Sequence, residues 1–191
     1  MSKMTKQGIA VGLLTAVLVW ATTSIGSGNI HDIAEFLSGL GNDSYLWGTN
    51  LLLFAWAFRL RLKSIAWLAI KSDVAVLFVV QVPKLISEKI MFGTWTLRPD
   101  GSSGGFPSGH ATHAFAMAFL LSNFFPRLWV LWYGIAIGIT WSRIEMGAHT
   151  PFQLIAGTCF GLIIGYQFIH RWLIQPDSIK SCTQSQTKIA I

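Results

Sequence analysis

Charge is what this sequence has least of. Of its 191 residues only 12% are Asp, Glu, Lys or Arg, with 8 acidic side chains against 14 basic ones, while 52% are hydrophobic. A soluble domain carries roughly twice that share of charge, and a mean hydropathy of +0.53 points the same way. Cysteine is nearly absent: Cys159 falls inside an apolar run and Cys182 in a polar tail, which excludes a disulfide and a thiolate metal site. No Pro-rich or Gly/Ser-rich linker divides the chain and no segment repeats, so one bundle is expected. No basic face with interleaved aromatics lies outside the apolar runs, which excludes nucleic acid as a partner. What remains is a polytopic membrane protein built from helices alone.

The apolar runs set the expected topology. The first follows Lys3 and Lys6 and runs to about Ser24, the length of a spanning helix rather than of a cleaved signal peptide. Ile30–Leu40 places His31, Asp32 and Glu35 among apolar residues at helical spacing, the pattern of a helix lying on the outer surface. Tyr45–Phe58 is a second span, ended by Arg59, Arg61 and Lys63. In the third, Lys71 and Asp73 would each cost about 2.5–3.5 kcal/mol at mid-bilayer. The span is therefore expected to start near Val74, kink at Pro83 and end near Phe92, with Ser64–Ile70 a separate interfacial helix. Ala111–Phe125, Leu128–Trp141 and Phe152–Phe168 complete about six transmembrane helices in a single domain, residues 1–173. A polar, disordered tail fills residues 174–191. Lys3, Lys6, Arg59, Arg61, Lys63, Arg127, Arg171, Lys180 and Lys188 all fall on one side, which the positive-inside rule makes cytoplasmic. Both termini are then inside, and a bacterial inner membrane suits so compact a chain.

The opposite face collects the chemistry. Arg98-Pro99-Asp100 opens a loop whose Gly101-Ser102-Ser103-Gly104-Gly105 offers small side chains and exposed amides suited to wrapping an anion. Ser108 stands where a helix cap belongs, with the amide of Gly109 beside it at the positive end of the helix dipole. Arg98 and Arg143 suit the grip of a tetrahedral oxyanion. His110 and His149 frame that pocket, and such a pair can supply an attacking nitrogen and a proton donor. His31, His113 and His170 read as structural or solvated, with His113 one turn beyond His110. Too few carboxylates or thiols accompany the histidines to complete a usual metal site.

Phe106-Pro107-Ser108-Gly109-His110 and Ser142-Arg143, followed six residues after the arginine by His149, resemble the second and third signature motifs of the type 2 phosphatidic acid phosphatase superfamily. Arg98-Pro99 resembles the end of the first. The resemblance covers roughly Lys84 to His170. It implies a six-helix membrane fold and a phosphatase that needs no metal or other cofactor and works through a phosphohistidine. In that likeness His149 is the nucleophile and His110 the acid and then the base. Arg98, Arg143, Ser108 and the Gly109 amide bind the phosphoryl oxygens.

Two positions depart from the family pattern. Counting back from Arg98, Met91 occupies the place of the family's lysine; Lys89, two residues further away, is expected to serve instead, with Lys84 the alternative. Gln153 stands where the family has an aspartate four residues after its nucleophilic histidine. An amide can orient the ring but cannot supply charge, unless Glu145 or Asp100 substitutes. Thr150-Pro151-Phe152-Gln153 also fits a capping box. Restoring the carboxylate with Gln153→Asp raises the rate if charge is what His149 lacks, and lowers it if the cap matters more.

Of nine tryptophans, Trp47, Trp95, Trp129 and Trp141 fall near expected span ends, as interface anchors do; Trp95 also lies in the loop before Arg98, in position to touch a lipid or sugar. The expected activity is removal of a terminal phosphate from a membrane lipid: phosphatidylglycerol phosphate, phosphatidate, an isoprenyl pyrophosphate or a lipid A-like glycolipid. A phosphotransferase with the same site, or a lipid-binding protein that has lost catalysis, are the alternatives.

Overall fold

The structure, a computed structural model, describes residues 3–21, 28–41, 45–89 and 93–174. It is helical throughout: α1 Lys3–Ala21, α2 Gly28–Gly39, α3 Tyr45–Leu60, α4 Lys63–Lys89, α5 Gly109–Phe124, α6 Trp129–Glu145 and α7 Pro151–Ile174. Among the described residues there is no strand. Among the described residues two helices, α4 and α7, are long and apolar enough to cross a membrane by length and composition.

α5 is the axis. It carries no Asp, Glu, Lys or Arg, and its residues Ala111 through Ser122 are all buried, as expected of a helix apolar on every side. α7 lies against it unusually closely because Gly157, Gly161 and Gly165 recur every fourth residue on one face. A β-carbon on Gly161 would stand 2.3 Å from the Thr112 carbonyl oxygen, and one on Gly157 2.7 Å from that of Ser108. The helix backbones therefore touch where other residues would hold them apart. α6 flanks the other side of α5, with Tyr133, Ala136 and Ile139 buried in the same core as Phe115, Met117 and Leu121.

Three expectations need correction. The break between an interfacial helix and a span starting at Val74 does not exist: α4 is one helix of 27 residues, about 40 Å long. Asp73 is tolerated because His113 Nε2 lies 3.2 Å from its carboxylate, and Lys71 because it is exposed. α2 does more than rest on the surface, since it packs on α6, where Leu37 comes against Gly138. α6 runs on to Glu145, so Ser142 and Arg143 ride its last turn. The ends expected for the first span at Ser24 and the third at Phe92, like the tail at 175–191, lie outside the described residues.

Replacing Gly161 by alanine forces α5 and α7 apart against a backbone atom and is expected to cost about 1–3 kcal/mol, read as a lower unfolding midpoint in detergent. Gly134→Ala is the control, because nothing lies within 4 Å of its added carbon; it should leave the midpoint unchanged or slightly higher.

Candidate active site

The first turn of α5 and the approach to α7 bring two histidines together. His110 lies on α5 one residue after its start. His149 ends a loop that folds back on α6, where the amides of Ala148 and His149 both donate to the Arg143 carbonyl, at 3.0 and 3.2 Å. Ser108 N–H donates to the Gln153 carbonyl at 3.1 Å, tying the start of α5 to the start of α7. The seam of glycines thus ends at the point where the two imidazoles meet.

Both imidazoles are held neutral. Burial first, then Arg143, His149, Lys84 and His113, pushes His110 down to about 3. Burial also dominates at His149, which sits near 4 despite an opposing push from its contact with Gln153; Arg143, Lys84 and Arg98 add to the depression. Arg143 is itself lowered by burial and by Arg98. These mutual influences place Lys84 and Arg143 near both rings and Arg98 near His149, a concentration of positive charge.

Within this cluster, three donors are buried without a hydrogen-bond partner: Arg98 Nε, Arg143 Nε and Ser108 Oγ. Ser108 occupies the N-cap position of α5, yet its side chain makes no capping bond. Its carbonyl instead accepts from the Thr112 hydroxyl at 2.8 Å. Buried donors of this kind cost free energy unless an acceptor satisfies them. Two guanidinium nitrogens, a hydroxyl and a helix N-terminus together suit a phosphate-like anion.

Gln153 is fully buried and makes contacts that no aspartate could reproduce. Its Nε2 donates to the Leu97 carbonyl at 2.6 Å and the Trp95 carbonyl at 3.2 Å, which fixes the amide's orientation. Its Oε1 must then be the acceptor, taking the Thr150 N–H at 3.2 Å and lying 3.1 Å from His149 Nδ1. Nδ1 therefore carries the ring proton, and Nε2 keeps its lone pair. The Gln153 amide nitrogen lies 3.4 Å from Thr150 Oγ1, so the capping box is present as well. Gly105 leaves room for all this: a β-carbon there would fall 2.6 Å from Gln153 Nε2.

Other residues find their places around this core. Lys84 is the lysine that acts on both histidines, and its Nζ lies near Gly109. Lys89 is the last residue of α4, five positions or about 140° further around the helix, and its side chain lies outside the described residues. Asp100 accepts from the Ser102 amide at 2.9 Å and hydroxyl at 2.7 Å, which holds its carboxyl below the usual range. It builds the turn after Arg98 rather than supporting His149. Glu145 makes no hydrogen bond to His149 among the described residues. Sequence patterns gave no sign of Ser38, whose hydroxyl on α2 accepts from Arg143 Nη1. A lone serine in an amphipathic helix carries no motif. Trp95, Phe106 and Phe152 form a rim of rings beside the cradle, with centroids 5.0 to 5.9 Å apart.

Two measurements follow from this geometry. Between pH 6.5 and about 4 the folded state refuses protons that unfolded histidines accept, so stability decreases as pH falls through that window. The unfolding midpoint should drop accordingly, and less steeply for His110→Ala/His149→Ala. Gln153→Asp removes both bonds to the Trp95 and Leu97 carbonyls and faces them with a carboxylate. It is expected to lower turnover at least about tenfold rather than raise it; a faster enzyme would show that His149 lacks charge more than position.

Comparison with known proteins adds identity to the geometry. The sequence profile of the PAP2 superfamily matches residues 51–177. The chain is 31% identical over 155 residues to a lipid A 1-phosphatase of Rhizobium johnstonii, covering 69% of this chain and 64% of that protein, so it spans a little under two thirds of that relative's length. It is 28% identical over 145 residues to an undecaprenyl-diphosphatase of Sulfolobus acidocaldarius, covering 72% and 68%. The fold matches the crystal structure of a transmembrane PAP2-type phosphatidylglycerolphosphate phosphatase from Bacillus subtilis, with a TM-score of 0.60, 21% identity, and coverage of 87% and 89%. With a profile match over more than half its length, the chain belongs to the PAP2 superfamily.

Proposed function

We propose that this chain is an integral membrane lipid phosphatase that removes a terminal phosphate through a phosphohistidine on His149. The observation that carries the reading is the set of buried, unpartnered donors on Arg98, Arg143 and Ser108 around two neutral imidazoles. In this reading α1, α3, α4, α5, α6 and α7 cross a bacterial inner membrane, both termini are cytoplasmic, and the site opens on the outer face.

The chemistry follows from charge. An incoming phosphate satisfies Arg98, Arg143 and Ser108, with Lys84 and the Gly109 amide completing the cradle. Lys84 takes the role that the sequence alone assigned to Lys89. The negative charge of the phosphate offsets the cations that depress His110, so its pKa rises and it can hold the proton the leaving oxygen needs. His149 Nε2, its lone pair left free by the Nδ1 bond to Gln153, attacks phosphorus. The bond to the lipid oxygen breaks and that oxygen takes the proton of His110. Water then attacks the phosphohistidine, gives its proton to His110, and phosphate leaves as His149 is restored. No step uses a metal.

The substrate reading favours a phosphate on a glycolipid of the lipid A kind. A relative carrying that activity shares 31% identity, and the exposed rings of Trp95 and Phe152, backed by the half-buried Phe106, offer a surface on which a sugar could stack beside the phosphate. Isoprenyl diphosphates and phosphatidylglycerol phosphate are the comparison substrates.

Purified protein should release phosphate from a lipid panel in the presence of a chelator, fastest from the glycolipid, and His149→Ala should lower the rate at least about a thousandfold while remaining folded. Acid-labile, base-stable phosphate should be trapped on the wild-type chain alone. Turnover that survives His149→Ala, or that vanishes with chelator and returns with a divalent cation, would contradict the mechanism.

A further inference from the structure

We propose that the cleft between α4 and α7, at the end of the bundle opposite the histidines, binds the phosphate headgroup of an anionic phospholipid. Both helices that form it are long and apolar enough to cross a membrane. Lys71 lies 13 residues before Lys84 on α4, about 20 Å away along the helix. α5 starts beside the histidines and ends at Phe124, whose ring meets Trp172 at 5.5 Å. The cleft is thus separated from the catalytic rim by most of the bundle's height.

Its lining has the character of a phosphate site. Lys71 from α4 and Arg171 from α7 both face a volume of about 330 Å³, near the lower end of the range for small-ligand pockets. Among the described residues no Asp or Glu lines it. Asp73, the carboxylate nearest to Lys71 along α4, is paired across the helix interface with His113 at 3.2 Å. Two exposed cations, one from each helix, therefore line the same cleft, and among the described residues no carboxylate lines it with them.

A second observation points to an acceptor. Trp172 lines the cleft and is 7% exposed, and its indole Nε1 is buried with no hydrogen-bond partner. An indole nitrogen can only donate, so the group that satisfies it must bring an oxygen. The Ser64 hydroxyl lines the same cleft. Trp67, 58% exposed, and Phe168 supply an apolar wall along which an acyl chain of the same molecule can lie. Basic pockets between membrane helices are a recurrent means of holding anionic headgroups. Around the turn from α3 to α4, Arg59, Arg61 and Lys63 line a separate cleft and add attraction for an anionic leaflet. None of these residues belongs to the cluster around His110 and His149.

The test uses the full chain, purified and delipidated in detergent. Titration with phosphatidylglycerol should raise the unfolding midpoint and leave a bound lipid detectable by native mass spectrometry, while phosphatidylcholine does neither. Lys71→Gln/Arg171→Gln should need at least about tenfold more phosphatidylglycerol for the same shift. Trp172→Phe keeps the ring, removes the donor and should weaken binding severalfold; it also serves if the double variant fails to fold. An Arg98→Gln/Arg143→Gln chain should retain the shift, since its loss there would locate the lipid in the catalytic pocket and overturn the proposal. Equal binding by wild type and Trp172→Phe, or a full shift from inorganic phosphate alone, would also overturn it.

Discussion

The approach of α7 to α5 is the constraint on which the rest of this structure depends. Gly157, Gly161 and Gly165 bring one helix backbone against the other, so the start of α7 is held to the start of α5 with little freedom to slide. His110 belongs to one start and His149 to the other. Their separation is set by helix packing along the whole interface rather than by the loops that carry them. In a bilayer, where the hydrophobic effect gives helices no reason to associate, such close packing is what fixes geometry.

The same economy appears at Gln153. An aspartate would give His149 a compensating charge; the amide gives it position instead. One side chain orients the imidazole, caps α7 and anchors the Trp95–Leu97 segment that leads to Arg98. Charge around the two imidazoles comes from cations, with Lys84 and Arg143 acting on both rings and Arg98 on His149. A neutral partner for His149 and a cluster of cations beside it are complementary features, because an amide takes none of the positive charge that a carboxylate at this position would offset.

Much of this was legible in the sequence, and the exceptions share a cause. Apolar runs located the helices because a bilayer leaves the backbone few alternatives, and the clustering of His110, Arg143 and His149 followed from the hairpin of α5 and α6. The unbroken α4 was not visible, because the cost of Asp73 depends on His113, 40 residues away and on another helix. The influence of Lys84 on both histidines turns on the phase of a helix about its axis, which linear spacing does not record. Ser38 and the carbonyl partners of Gln153 are side-chain and backbone contacts across large sequence separations, and no local pattern announces them. Composition and periodicity report what each helix presents; which faces meet is decided by packing.

The brevity of the central helices has a consequence for the membrane itself. α3 and α5 have 16 residues and α6 has 17, about 24–26 Å of helix against a hydrocarbon thickness of about 30 Å. The long helices α4 and α7, with 27 and 24 residues, rise about 36–40 Å, while α5 is buried within the bundle, so lipid meets surfaces of unequal height. Where a short helix faces lipid, mismatch favours a local thinning of the bilayer or a tilt of the long pair, and either one brings headgroups nearer the ends of the short helices.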